Sequence, residues 1–386
     1  MQIDLATRFL PPEHQVFLVH PGERKKFYVE VKAGQSIFLD IPGANIDPKG
    51  QFYSLANVSN LIMSQDIVRW HNTGAEPAKA PSRTVADYEN RAKRFLAKRG
   101  SYKKLTRLVA QAEGIYQNAK AGDIIVVSGS DYFSNVLIGE IVGDHLTPVI
   151  SQYYQGEVIP GRRVKWLSMK RRKVDFSDEL IRQMQNMSAV IRLSARDLKD
   201  EIYTEAYGQY VYGDEAQLEI LIEKPKVDFR DLTDASLIPQ YFAALHVAFE
   251  KNQLDAFLKI DGLKPAIDAF YDPAYFTDTS ISLHSPGKIY LAAKSAITVA
   301  MIGALLALSA SNFSGKADDI KVTNSAQATT SCEWQIQEEL KTIFAHWDYA
   351  RWQALCKRRQ EAAAKTGMDS AVKIKSAPQK SKPAQP

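Results

Sequence analysis

The chain has 386 residues, 45% hydrophobic and 24% charged, a globular composition on a length too great for one average core. Its two cysteines, Cys332 and Cys356, exclude a disulfide framework and a paired-cysteine metal signature, and point to a reducing, cytoplasmic setting. The net charge of +5 is unevenly spread, because residues 351–386 hold nine Lys/Arg against two acids.

The N-terminus, "MQIDLATRFLPPEHQ", lacks a basic region followed by an apolar run and does not read as a secretory signal. Residues 14–42 contain three β-like runs, "HQVFLVH", "KFYVEV" and "SIFLDIP", with a turn, "PGERKK", between the first two. With the helical pattern of "FYSLANVSNLIMSQDIVRWHNT", ended at Gly74, they predict a small α/β element over residues 1–80. Thr84 is placed to cap the next helix, and "VADYENRAKRFLAKRGSYKKLTRLVAQAEGIYQNAK" reads as one or two amphipathic helices broken at Gly100–Ser101.

Residues 123–167 are β-rich: Ile124 to Val127 are all β-branched, Val136 to Val142 repeat the pattern, and "RRVKWL" alternates polar and apolar. Ser177 or Asp178 caps a helix expected to run to about Leu193. "AQLEILIEKPKVDF" reads as a strand, "LIPQYFAALHVAFEKNQLDAFL" and "LKPAIDAFY" as helices, and "EWQIQEELKTIFAHWDYARWQALCKRRQEAAAK" as one long amphipathic helix. The expected fold is α+β, with a barrel and its leading helices over 85–175 and a mostly helical C-terminal domain over 177–370. A basic tail at 371–386 has nothing to bury and reads as disordered, with nucleic acid or an anionic membrane as alternative contacts.

Residues 289–311 are the most apolar segment and carry one charge, Lys294. A membrane span needs about 20 apolar residues, so this stretch reads either as a span, placing the protein in an inner membrane, or as a helix buried on all sides. Its many Ala and Ser residues favour the buried helix.

No P-loop, dinucleotide fingerprint or nucleophile elbow occurs. "EILIEKPKVDF" offers acids and lysines, but strand alternation puts Glu223 and Lys224 on opposite faces and Pro225 interrupts it, so a nuclease site is not expected there. Tyr203, Tyr207 and Tyr210 fall on one helical face and read as a packing seam. The seven histidines show no metal-ligand spacing among themselves, and neither metal nor cofactor is expected.

The order helix, "AGDIIVV", variable loop, "LIGEIVGD", longer loop, "RRVKWL" resembles the PUA-like superfamily, in particular the EVE-type modules found beside McrB- and Mrr-type restriction proteins. The likeness spans roughly residues 105–170; His145 stands where an aromatic is common. Independently of it, Gly122 permits a tight entry into the strand and Asp123 is placed to accept from loop amides. The resemblance implies a small β-barrel whose mouth, the loop Ser128–Ser134, holds a base, a modified one included, using Ser128, Ser130, Tyr132 and Phe133. Arg162, Arg163 and Lys165 would contact phosphate, with Lys103 and Lys104 beside them. Residues 91–107 hold eight Lys/Arg and 161–173 hold seven, neither with an acid, which suits phosphate neutralisation as well as a solvated helix face.

The expected function is nucleic-acid recognition without catalysis of its own, in a restriction or antiviral defence setting. The alternatives are a nucleotide-sensing membrane effector, and a scaffold that meets protein partners through its helical C-terminal domain.

Overall fold

The computed structural model describes every residue except 74–83, 155, 187, 214, 283–286, 312, 314–316, 327–330, 371 and 376–386. The chain begins with two short strands, β1 (Gln2–Asp4) and β2 (Arg8–Leu10), that belong with its far end: one unit joins Met1–Pro12 to Tyr207–Pro386, and the other is Glu13–Ala206.

The Glu13–Ala206 unit contains β3 (Val16–Val19), α1 (Tyr28–Gly34), β4 (Ser36–Phe38), α2 (Leu55–Asn72), α3 (Val85–Ala97), α4 (Lys103–Glu113), β5 (Ile124–Ser128), β6 (Val136–Ile141), β7 (Thr147–Ile150), β8 (Val158–Ser168), α5 (Asp178–Gln185), β9 (Val190–Leu193) and α6 (Arg196–Tyr207). Its seven-stranded sheet runs β4-β8-β6-β5-β3-β9, with β7 also on β8. All five residues of β5 are buried, as a run of β-branched side chains in a central strand demands. The long β8 pairs β4 and β7 through its first half and β6 through its second, so the sheet curls into a half-barrel. Gly139 makes the curl possible: a Cβ there would lie 2.5 Å from Val164 Cγ1 and 2.7 Å from the Lys165 carbonyl oxygen.

The two Gly-Asp pairs brace one turn. Gly122 lies at φ 93°, and Asp123 accepts from the amides of Gln15 and Lys120, both at 2.8 Å. Asp144 accepts from the Ala121 amide at 2.9 Å. Thr84 caps α3 in a reciprocal box with Asp87, and a 3-10 turn at Arg99–Ser101 separates α3 from α4, both as expected.

Three expectations for this unit need correction. "KFYVEV" is helical, because Phe27 and Val31 are buried four residues apart while Val29 is 73% exposed. The helix capped by Ser177 stops at Gln185, and Val190–Leu193 instead pairs antiparallel with β3. A boundary near 80–85 does not separate two elements, since β3 and β4 pair with β5 and β8 in one sheet.

The other unit contains β10 (Tyr210–Tyr212), β11 (Glu215–Ile222), α7 (Phe229–Glu250), α8 (Leu254–Lys259), α9 (Leu263–Phe270), β12 (Phe276–Ser282), β13 (Gly287–Ala293), α10 (Ala296–Ala310), β14 (Lys321–Thr323), α11 (Ser331–His346), α12 (Tyr349–Thr366), β15 (Met368–Ser370) and β16 (Lys373–Lys375). It is mixed rather than mostly helical, with a six-stranded sheet β12-β13-β11-β10-β2 that also takes β15 onto β11, and a three-stranded sheet β14-β1-β16. Lys373–Lys375, expected in a disordered tail, pairs with β1; the rest of that tail from 376 lies outside the described residues. Tyr210 is in a strand, so the three tyrosines share no helical face. The long C-terminal helix is two, restarted where the Asp348 side chain accepts from the Arg351 amide.

The apolar segment 289–311 is divided between β13 and α10. α10 has 15 residues, a length of about 22 Å against a hydrocarbon core of about 30 Å. Among the described residues no helix is long and apolar enough to cross a membrane. Twelve of its residues are buried, and it packs against α7, α11 and α12 as the central helix of this unit's core.

Candidate functional site

Two adjoining clefts open in the Glu13–Ala206 unit, sharing Asp40 and Leu108 in their walls. The smaller, about 660 Å³, is lined by His20, the turn Gly22–Lys25, Ser130, Lys173 and the end of α5. The turn is backbone-strained: Gly22, Arg24 and Lys25 lie at φ 75°, 51° and 59°. For the two non-glycine residues this costs on the order of 1–2 kcal/mol each. It aims the Lys25 ammonium inward, where Nζ donates to Ser128 Oγ at 2.6 Å, the Gly129 carbonyl at 2.8 Å and the Met184 carbonyl at 3.3 Å.

None of those acceptors is charged. Burial, with the Lys173 charge adding to it, pushes Lys25 down to about 8. Lys173 is only 3% exposed, and burial lowers it too, against a weaker pull from Asp131. Neither lysine forms an ion pair, and the Lys173 ammonium has no hydrogen-bond partner among the described residues. His20 is 9% exposed with Nε2 buried and unpartnered; burial, then Lys25 and Lys173, push it down to about 4, so it faces the cleft as a neutral imidazole. The cleft thus collects two lysines and an imidazole with no carboxylate paired to them, an arrangement that an anion would complete.

The larger cleft, about 1140 Å³, lies between α2, α3 and α4 and is lined by Arg69, Arg91, Arg94, Phe95, Tyr102, Lys103 and Lys104 among others. Arg91 is committed to Asp66 at 2.6 Å. Arg94, Lys103 and Lys104 are exposed and form no ion pair among the described residues. The shared Asp40 adds little negative field, because Lys26 Nζ pairs with it at 2.9 Å and the Tyr154 hydroxyl donates to it at 2.6 Å.

The residues singled out from the sequence separate into groups. Ser130 lines the smaller cleft, and Lys103 and Lys104 line the larger. Ser128 is fully buried, its hydroxyl holding Lys25 rather than facing a ligand. Tyr132 and Phe133 stand 43% and 69% exposed on a loop closed by the Phe133 amide donating to Asp131 Oδ1. Their rings meet edge to face, centroids 5.9 Å apart at 90°, so the pair offers single faces and no two-walled slot. Neither ring is in the wall of either cleft.

Arg162 is corrected from phosphate contact to structural brace. It is 1% exposed and donates to the carbonyls of Ile115, Ala119 and Gly143 and to Asp144. Arg163 and Lys165 are exposed on β8, away from both clefts. Of the 161–173 run, Arg171 pairs with Glu201 and Glu205, and Arg172 with Asp175. Sequence reasoning missed His20, Lys25 and Tyr102, and took Lys173 only as part of a charge run. The available signal was the "PGERKK" turn, where glycine and a basic cluster interrupt two apolar runs. Comparison with known proteins finds no matching family model, curated protein or solved structure.

Proposed function

We propose that residues 13–206 form a nucleic-acid-recognition module of the PUA-like kind. A phosphate seats among His20, Lys25 and Lys173, the sugar-phosphate backbone follows Arg94, Lys103 and Lys104, and an unstacked base lies on Tyr132 or Phe133. The observation that carries this reading is the pair of cleft-lining lysines, Lys25 and Lys173, that form no ion pair among the described residues and whose burial outweighs the pull of Asp131. Like charges in a partly buried wall repel, and a phosphate removes the repulsion while releasing the counterions of its own strand. The curled sheet and the exposed aromatic loop beside Ser130 support the PUA-like assignment. Exposed single aromatic faces suit stacking, which tolerates any base.

A second reading keeps the pocket and changes the ligand to a free nucleotide. It is favoured by the volume of about 660 Å³, within the usual 300–1,000 Å³ or so of small-molecule sites. The membrane part of that alternative is dropped, because α10 is a buried core helix.

Fluorescence anisotropy with a single-stranded oligonucleotide tests the nucleic-acid reading. Neutralising about three phosphates gives a log–log salt slope of about −2. Replacing both Tyr132 and Phe133 by Ala is expected to weaken binding by about 1–3 kcal/mol, or roughly 5- to 150-fold. Binding indifferent to salt and to the double substitution rejects it.

A further inference from the structure

Residues 207–386 hold a cluster with no part in the clefts of the other unit. His246 and Glu250 stand one turn apart on α7, and Glu339 comes from α11; one ligand atom from each lies within 4.8 Å of the others. His246 is 1% exposed. Its Nε2 is 3.0 Å from Thr298 Oγ1, at the start of α10, and its Nδ1 is buried with no partner. When Nε2–H donates to the threonine hydroxyl, the Nδ1 lone pair is bare. Glu339 is 9% exposed; its Oε1 accepts from Gln335 Nε2 at 3.0 Å, while Oε2 is buried with no partner. No hydrogen bond joins His246 to either carboxylate. Two polar atoms, each on a residue at least nine-tenths buried, are thus left bare beside an exposed third group, Glu250.

We propose that His246 Nδ1, Glu250 and Glu339 bind a divalent transition-metal ion of the zinc type, tying α7 to α11. Three atoms within 4.8 Å of one another share a centre at most about 2.8 Å from each, and zinc sits about 2.0–2.2 Å from nitrogen or oxygen. Closure therefore needs a shift of at most about 0.6–0.8 Å per ligand, shared by all three side chains. The donor set selects the metal class: an imidazole with two carboxylates suits zinc, whereas magnesium and calcium take six or more oxygens. Thr298 serves as the outer partner that fixes the imidazole tautomer. Glu250, facing solvent, marks the way in, and three protein ligands leave a position of a four-coordinate ion to water.

The test uses the full chain, stripped with chelator and titrated with Zn²⁺, with Mg²⁺ as control. One equivalent of Zn²⁺ is expected to bind and raise the unfolding temperature by several degrees, while Mg²⁺ does neither. Co²⁺ in its place is expected to show the visible bands of a low-coordinate site. Because replacing the buried His246 risks the fold itself, the deciding variant is Glu250→Gln, at the exposed ligand. It should unfold like the unliganded wild type and bind Zn²⁺ at least tenfold more weakly. A wild type that ignores Zn²⁺, or a Glu250→Gln protein that binds it equally well, overturns the proposal.

Discussion

Arg162 and Arg163 are neighbours in sequence with opposite roles, and only their partners tell them apart. Arg162 satisfies three backbone carbonyls inside the unit, and Arg163, one position on, points to solvent. Removing the first strands buried acceptors, which costs the desolvation of each; removing the second costs almost nothing. Urea unfolding is expected to show Arg162→Met destabilised by about 3 kcal/mol and Arg163→Met within about 0.5 kcal/mol of wild type. Equal losses would show that Arg162 is not the brace described. Lys25 and Lys173 repeat the lesson: each is one basic residue among many in "PGERKK" and "MKRRK", and what sets them apart is that each lines the cleft without an ion pair, Asp131 pulling on both only weakly.

Elements were legible where their signals are local. Thr84 and Ser177 announce their helices because a side-chain oxygen three residues before a bare amide is a short-range device. The Gly122-Asp123 entry and the strands β5, β6 and β8 follow from β-branched runs and the turn geometry of glycine. Elements were misread where a distant partner decides. Val190–Leu193 is a strand because β3 is there to pair with it, and "KFYVEV" is a helix because Phe27 and Val31 share a buried face. Residues 289–311 look like one apolar span only until β13 is seen to pair with β11 and β12. At the candidate site, exposed Tyr132, Phe133, Lys103 and Lys104 were readable as residue types, whereas His20, Lys25 and Lys173 gain meaning only from the cleft that gathers them. His246 and Glu250 escaped because histidines were compared with one another and not with acids one helical turn away.

At the scale of the whole molecule, the chain interleaves its two units: residues 13–206 are continuous, while the other unit takes its first strands from Met1–Pro12. β1 is the central strand of its sheet, flanked by β14 and β16, and β2 is the edge of the larger one. A fragment of residues 13–206 should therefore unfold cooperatively on its own, whereas 207–386 without the first twelve residues should not. Calorimetry of the two fragments checks this, and a sharp transition from 207–386 alone would contradict it. The binding reading belongs to the 13–206 unit, and its core is the pair of lysines, Lys25 and Lys173, that form no ion pair among the described residues.

That core is tested most directly by the affinity of the full chain for a 5′-phosphorylated oligonucleotide relative to its 5′-hydroxyl twin, measured from pH 6.5 to 9.5. Lys25 carries its full charge only below its value of about 8, and a terminal phosphate is a dianion above about pH 6. Above pH 8 or so binding must take up a proton, so affinity should fall by up to about tenfold per pH unit. The account predicts a preference for the phosphorylated strand that is greatest near pH 7, declines above about 8 and disappears in Lys173→Ala. Equal affinity for the two strands at every pH would contradict it.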